Sequence, residues 1–189
     1  MNYWFTSDLH FFHKNILKYS PDTRPSTNLE DMHRDIINKW NSLVQDGDQV
    51  YLLGDVSFSG GKNTAPVLEQ LNGDIHLIYG NHDKVIRERR QLQKFFASTQ
   101  DYLFTKIEGQ AVAMMHFPII EWENMHYGSF HLFGHAHQAY KTIGGKSMNV
   151  GIDTRDDYGL YSWDEVCEFM ADKPVLRRAE FNNIRQVEK

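Results

Sequence analysis

Apolar residues along this chain fall in short runs, and a polar or glycine-marked stretch closes nearly every run. Tyr3-Trp4-Phe5 leads into Thr6-Ser7-Asp8, which reads as a strand followed by a polar loop. Residues from about 11 to 27 are aromatic, polar and proline-punctuated, which predicts a long loop. Thr27 with Glu30 has capping-box spacing, and Leu29, Met32, Ile36, Ile37, Trp40 and Leu43-Val44 then fall on one helical face. Asp46-Gly47-Asp48 ends that helix. Val50-Tyr51-Leu52-Leu53 is continuously apolar, as expected of a strand covered on both faces. Gly60-Gly61 marks a turn, and Pro66 to Leu71 predicts a second helix ending at Asn72-Gly73. Ile75 to Tyr79 is the next strand. Strands alternating with helices predict a parallel sheet built from βαβ units.

The second half changes rhythm. Tyr102-Leu103-Phe104 and Ala111 to Met115 flank Glu108-Gly109-Gln110, a hairpin pattern. His131-Leu132-Phe133 and Ser147 to Val150 are further strands. Ser162 with Glu165 opens a helix that must end before Pro174, and Val175 to Phe181 reads as a last strand. The economical architecture is α/β: two mixed β-sheets packed as a sandwich with helices outside, an α/β/β/α arrangement formed as one domain over residues 1–189.

Composition narrows the functions available. The chain has 189 residues, 41% of them hydrophobic, enough to bury one real core. Its formal charge of -5 argues against a surface that grips long nucleic acid, which calls for a basic excess. One cysteine excludes an internal disulfide framework, and Cys167 shares helical spacing with Trp163, Val166 and Met170, the pattern of a buried apolar filler. No charged-then-apolar leader opens the chain, and no apolar run approaches the roughly 18 residues of a membrane span. The expectation is a soluble, cytoplasmic protein.

Candidate chemistry gathers at the strand ends. Asp8-Leu9-His10, Gly54-Asp55, Gly80-Asn81-His82-Asp83, Met115-His116 and Gly134-His135-Ala136-His137 each end or closely follow an apolar run. Asp8 and His10 lie two apart, so both can turn to one ion at a strand tip. Gly54 permits a sharp turn before Asp55, whose two carboxylate oxygens can bridge two ions. Asn81 offers a neutral carbonyl oxygen. His116, His135 and His137 complete seven candidate ligands. Imidazole suits ions such as Zn or Fe, and carboxylate oxygen suits Mn or Mg. Two adjacent divalent ions form a centre for phosphate-ester hydrolysis.

The set D-x-H, G-D, G-N-H-[DE], H and G-H-x-H is complete and in order from Asp8 to His137, and in this the chain resembles the calcineurin-like metallophosphoesterases. The string Asp8-Leu9-His10-Phe11-Phe12-His13-Lys14-Asn15-Ile16 is similar to a small single-domain branch common in bacteria and their phages. The resemblance implies a double-sheet sandwich with a dinuclear site. It implies that Asp8, His10 and His137 hold one ion with Asp55. Asn81, His116 and His135 then hold the other, with Asp55 bridging. It implies that His82 is the non-ligand histidine facing substrate. Two divalent ions against Asp8 and Asp55 leave an excess of about two positive charges, which suits phosphate. The expected mechanism is in-line attack by metal-activated hydroxide, with His82 stabilising charge or protonating the leaving oxygen. The expected cofactor is two ions of Mn, with Fe, Zn, Ni or Mg as alternatives.

Other residues are read as follows. Asp83 either orients His82, which places it with the catalytic residues, or caps the turn. His13, Asn15 and Arg24 are candidate substrate contacts, Arg24 through its bidentate geometry toward phosphate. Lys84, Arg87, Arg89 and Arg90 read as a solvated helix face. His76, His126 and His131 read as structural. Trp122 and Tyr127 offer rings on which a base can stack. Asp153, Asp156 and Asp157 read as a polar turn. The leading function is a phosphoesterase acting on small diesters, nucleotide-like ones included, or on monoesters. The alternatives are a protein-interaction scaffold of the same fold and a nuclease on short oligonucleotides. The expected partner is a small phosphate ester, with neither long nucleic acid nor membrane. Oligomeric state is not legible.

Overall fold

The computed structural model describes residues 1–177. The first sheet contains β1 (Tyr3–Thr6), β2 (Gln49–Leu52), β3 (Asp74–Ile78), β4 (Ser98–Gln100) and β9 (Tyr161–Ser162), in the order β4-β3-β2-β1-β9. Its first four strands run parallel and β9 is antiparallel to β1. The second sheet is β5 (Tyr102–Ile107), β6 (Gln110–Met115), β7 (Phe130–Phe133) and β8 (Ser147–Asn149), in that order. There β5 and β6 form the antiparallel hairpin, while β6, β7 and β8 are parallel. Both sheets are mixed and helices flank them, as the pattern of apolar runs predicts. The hairpin turns on Glu108 and Gly109, both at positive φ, the geometry that matches strand twist.

Period-two alternation sorts the side chains into layers. Val50 and Leu52 of β2, with Ile75 and Leu77 of β3, pack against Met32, Ile36 and Trp40 of α2 (Leu29–Leu43). Tyr51, Leu53, Phe5 and Ile78 point the other way and meet Val112, Met114, Leu132 and Met148 of the second sheet. Beyond that sheet, Trp122 and Met125 cover Ala113. Trp163, Val166 and Met170 of α6 (Trp163–Ala171) join the layer between the sheets, and Cys167 packs there only partly buried.

Several boundaries depart from the sequence pattern. The helix cap of α2 is Asn28, not Thr27: Asn28 Oδ1 accepts from the Asp31 backbone N–H at 2.9 Å. Both residues are good caps, and the structure uses the one a residue closer to the apolar face. The second helix, α3 (Gly61–Leu68), starts at the expected turn and runs through Pro66. The 11–27 loop carries a single helical turn, α1 (Ile16–Tyr19). Lys84–Glu88 (α4) and Arg90–Gln93 (α5) form two short helices rather than one face. The strands β4 and β9 are too short and too polar to register as apolar runs. The expected last strand is not formed over Val175 to Arg177, and its remainder lies outside the described residues. Among the described residues, no helix is long and apolar enough to cross a membrane.

Candidate metal centre

All seven candidate ligands emerge just beyond the carboxyl ends of parallel strands, where open α/β sheets place their sites. Asp8 and His10 follow β1, Asp55 follows β2, Asn81 follows β3, His116 follows β6, and His135 and His137 follow β7. Their loops are laced together. The backbone N–H groups of Asp8 and His10 donate to the carbonyls of Gly54 and Asp55, each at 3.0 Å. Gly54 sits at φ +86° with the Gly80 backbone against it, so any Cβ there would overlap the next loop.

Five ligands are held in left-handed backbone geometry: Asp8 (φ 61°), His10 (53°), Asp55 (56°), His135 (66°) and His137 (46°). Such conformations cost of order 1–3 kcal/mol each and persist only where the surroundings enforce them. They belong to residues that converge in two ligand groups.

Two ligand groups result. Asp8, His10 and His137 form one, and Asp55, His116 and His135 the other, each with its ligand atoms within 4.8 Å of one another. Asn81 Oδ1 lies 3.0 Å from His116 Nε2 and so joins the second. Asp55 stands between the groups: its Oδ2 is 3.7 Å from His10 Nε2 and 3.5 Å from His116 Nε2.

The donor atoms fit cations. Asp8 Oδ1 and both His10 ring nitrogens are buried with no hydrogen-bond partner among the described residues. Such orphans are costly unless something else satisfies them. Burial lowers the His10 pKa to about 2, with neighbouring His137 and Arg24 adding to the effect. Its ring therefore stays neutral and keeps a lone pair to offer. Burial raises the Asp8 carboxyl, the expected penalty for a carboxylate lacking its counter-charge. His116 Nδ1 lies 2.7 Å from the Leu53 carbonyl, and His137 Nδ1 lies 2.5 Å from Asp153 Oδ2. In each case the acceptor fixes the proton on Nδ1 and turns Nε2 into the ligand.

This arrangement can be set beside known proteins. Residues 1–151 match the calcineurin-like phosphoesterase superfamily domain. The chain belongs to that superfamily. The phosphoesterase is 32% identical to an uncharacterized protein of Methanocaldococcus jannaschii over 90% of this chain and 92% of that one. It is 28% identical to the gene 66 protein of Mycobacterium phage D29, over 90% and 96% of the two chains. Among solved structures it shares its fold with an Aquifex aeolicus protein of unknown function: TM-score 0.69, 21% identity, 89% of this chain and 98% of that one. It also shares its fold with an archaeal phosphodiesterase: TM-score 0.50, 18% identity, 80% and 84% of the chains. The phosphoesterase is thus a hydrolase of a metal-dependent family, with two candidate metal-ligand groups.

Two residues read as substrate contacts, Arg24 and Asn15, sit elsewhere, and Asp83 takes the turn-capping one of its two readings. Arg24 does not reach the cavity. Its side chain is fully buried and forks onto Asp153 at 2.7 and 2.9 Å and onto the backbone carbonyls of Asp8 (2.7 Å) and Leu9 (3.0 Å). It braces the ligand loop from behind. Asp83 does not touch His82 with its carboxylate. It accepts from the N–H groups of Gly80 (2.8 Å), Asp55 and Val56 (2.9 Å each), so it clamps two ligand loops. Asn15 heads α1 and is exposed outside the cavity lining. His13 does line the cavity.

His82 remains free to meet substrate. Its side chain is 43% exposed, Nε2 lies 3.9 Å from Asp55 Oδ2, and its backbone N–H is held by Asp55 Oδ1 at 2.9 Å. Trp122 is buried and its indole N–H is occupied by Ser129, so it offers no face to a base. His76, His126 and His131 bond to neighbouring backbone or side chains away from the site.

Sequence reasoning missed two supporting residues. Asp153, read as a polar turn, is buried between Arg24 and His137, whose bonds hold its carboxyl below the ordinary range although burial opposes this. Asp153 follows the strand ending at Asn149-Val150 and a glycine, Gly151, a weaker form of the strand-end pattern that marked Asp55, and that signal was available. Phe58 stacks on His13 (centroids 4.0 Å, 6° between planes) and leans on His82 at 4.2 Å. No pattern in the sequence distinguishes it from any other loop aromatic.

Proposed function

We propose that the protein is a dinuclear-metal phosphoesterase acting on small phosphodiesters, with Mn as its working ion. The observation that carries this reading is the position of Asp55 Oδ2, within 3.7 Å of a ring nitrogen from each ligand group. One carboxylate oxygen so placed suits a bridge. Asp8, His10 and His137 would hold one ion with Asp55, and Asn81, His116 and His135 the other. When bound, two such ions supply a water nucleophile activated near neutral pH and neutralise charge on the phosphoryl oxygens.

The chain's own groups account for the rest. His82, exposed beside Asp55, donates a proton to the leaving oxygen, and Phe58 keeps its ring in place. Asp153 holds the His137 proton on Nδ1. The cavity favours diesters over monoesters. A monoester dianion calls for an added cation, typically a forked arginine, and among the described residues no lysine or arginine lines the cavity. The archaeal phosphodiesterase of similar fold agrees with this choice.

The test is reconstitution with Mn, elemental analysis, and hydrolysis of bis(p-nitrophenyl) phosphate against p-nitrophenyl phosphate. Two ions per chain and faster diester cleavage, abolished by chelator, are expected. One ion or none under saturating Mn rejects the dinuclear reading. A fully metallated protein that hydrolyses neither ester is a scaffold instead.

A further inference from the structure

Beside the ligands, the cavity continues into space that the chemistry at phosphorus does not use. The whole cavity measures about 410 Å³, within the range of small-molecule sites. Besides the candidate ligands, its lining includes Ile16, Tyr19 and Ser20 from the α1 turn, and Ala136, Gln138 and Ala139 from the loop carrying His135 and His137. Ile16 is buried and forms a floor. Tyr19, three residues on and so on the same face of the turn, leaves 64% of its surface exposed. Its ring stands 5.9 Å from that of His13, which stacks on Phe58. The two alanines add no bulky side chain to the lining, and Gln138, whose Oε1 accepts from the Thr23 hydroxyl at 3.3 Å, brings an amide NH₂ able to donate.

We infer that this extension is a subsite for one flat aromatic arm of the diester, of nucleobase size, with Tyr19 as its stacking face. This deepens the phosphodiesterase reading and rests on it. An aromatic ring held at the edge of a cavity, with an aliphatic floor beneath it, suits a π-face better than a sugar or an alkyl chain. The absence of lysine and arginine from the lining among the described residues limits the ligand further. Inside the cavity a second phosphate would find no cation to pair with. Lys84 is paired with Glu88 and Arg87 with Asp101, both outside the cavity. The substrate class is therefore a single-phosphate diester of one nucleoside, not an oligonucleotide or a nucleoside polyphosphate.

Two esters with the same leaving group test this. Thymidine 5′-(p-nitrophenyl phosphate) and ethyl p-nitrophenyl phosphate release the same phenolate and differ only in the arm left on phosphorus. With the Mn-loaded protein, kcat/KM is expected to be about tenfold or more higher for the thymidine ester, the size of a base–aromatic stack. Tyr19→Ala should erase most of that preference, and Tyr19→Phe should keep it. Equal kcat/KM on the two esters in the wild type overturns the subsite and leaves the phosphodiesterase reading standing. So does a preference unchanged in Tyr19→Ala. If neither ester is cleaved, the phosphodiesterase reading fails on its own. Calorimetry with thymidine 5′-monophosphate against ethyl phosphate then decides the subsite. Tighter binding of the nucleotide, weakened in Tyr19→Ala, supports it, and equal binding removes it.

Discussion

The group formed by Asp8, His10 and His137 is the more enclosed of the two, whereas the group formed by Asp55, His116 and His135 is the more open, and both reach the cavity. Asp8 and His10 are buried, His137 is half-buried, and this enclosed group rests on Arg24 and Asp153 behind it. In the open group His135 and Asn81 are exposed, and His82 stands beside them. The same residue types thus serve two purposes. The enclosed group has orphaned buried atoms that a cation would satisfy, so an ion there would favour the folded chain. The open group has exposed members at the cavity.

Asp55 joins the two groups, so its loss should have the widest effect. In Asp55→Ala we expect metal content to fall at both positions and ester hydrolysis to become undetectable. His137→Ala should lose mainly the ion of the enclosed group. Elemental analysis of the two variants after identical reconstitution separates them. Retention of both ions in Asp55→Ala would mean that the bridge is misassigned.

Arg24→Met should reach less far, touching the enclosed group alone. It leaves the Asp153 carboxylate buried without its fork, and breaking a buried pair in this way costs about 3–5 kcal/mol. The melting temperature should drop, and because Asp153 orients His137, affinity for an ion in that group should weaken by roughly 10–100-fold. Arg24→Lys keeps the charge and loses the planar fork, so it should recover only part of either. Metal titration followed by calorimetry reads both. An affinity unchanged in Arg24→Met would reduce Arg24 and Asp153 to packing.

His82→Ala should leave both ions in place and slow turnover by roughly 10²–10⁴, the usual range for a positioned acid–base group. Steady-state kinetics with metal content measured on the same sample is the check. Full activity would take His82 out of the mechanism.

How much of this could be read from residues alone follows the same division. The ligands were legible because each stands next to an apolar run or a glycine that the strand end demands, as at Leu53-Gly54-Asp55. The layers were legible because β2 and β3 alternate across two cores. What stayed hidden depends on burial and on long-range contacts. Arg24 next to Pro25 looks like a loop cation, and only the fold shows that its guanidinium lies beneath Asp8. Asp83 reads either as a partner of its neighbour His82 or as a turn cap. Its carboxylate does cap the turn at Gly80, and what no local pattern shows is that it also reaches the Asp55 loop, twenty-eight residues back in the chain. The β4 and β9 strands are held by pairing to β3 and β1, which no local pattern announces.

The smallest expected effect lies outside both groups and separates the scaffold's response to acid from that of the site. His131 on β7 is fully buried, accepts from the Ile119 N–H through Nε2 at 2.9 Å, and holds the Ala113 carbonyl with Nδ1 at 3.1 Å. Burial lowers its pKa from 6.5 to about 4. Between those values the unfolded chain binds the proton and the folded chain does not. Stability is therefore full above about pH 6.5 and falls as pH drops toward 4, by roughly 3 kcal/mol in all. Asp8 and Asp83 pull the other way, because burial raises both, so their share is present at low pH and lost as pH rises. Denaturant unfolding of the chelated protein from pH 4 to 7, wild type against His131→Asn, isolates the histidine: the variant should lose its slope in this window relative to wild type. Parallel curves would place the acid sensitivity elsewhere, with the ligand histidines as the next groups to test.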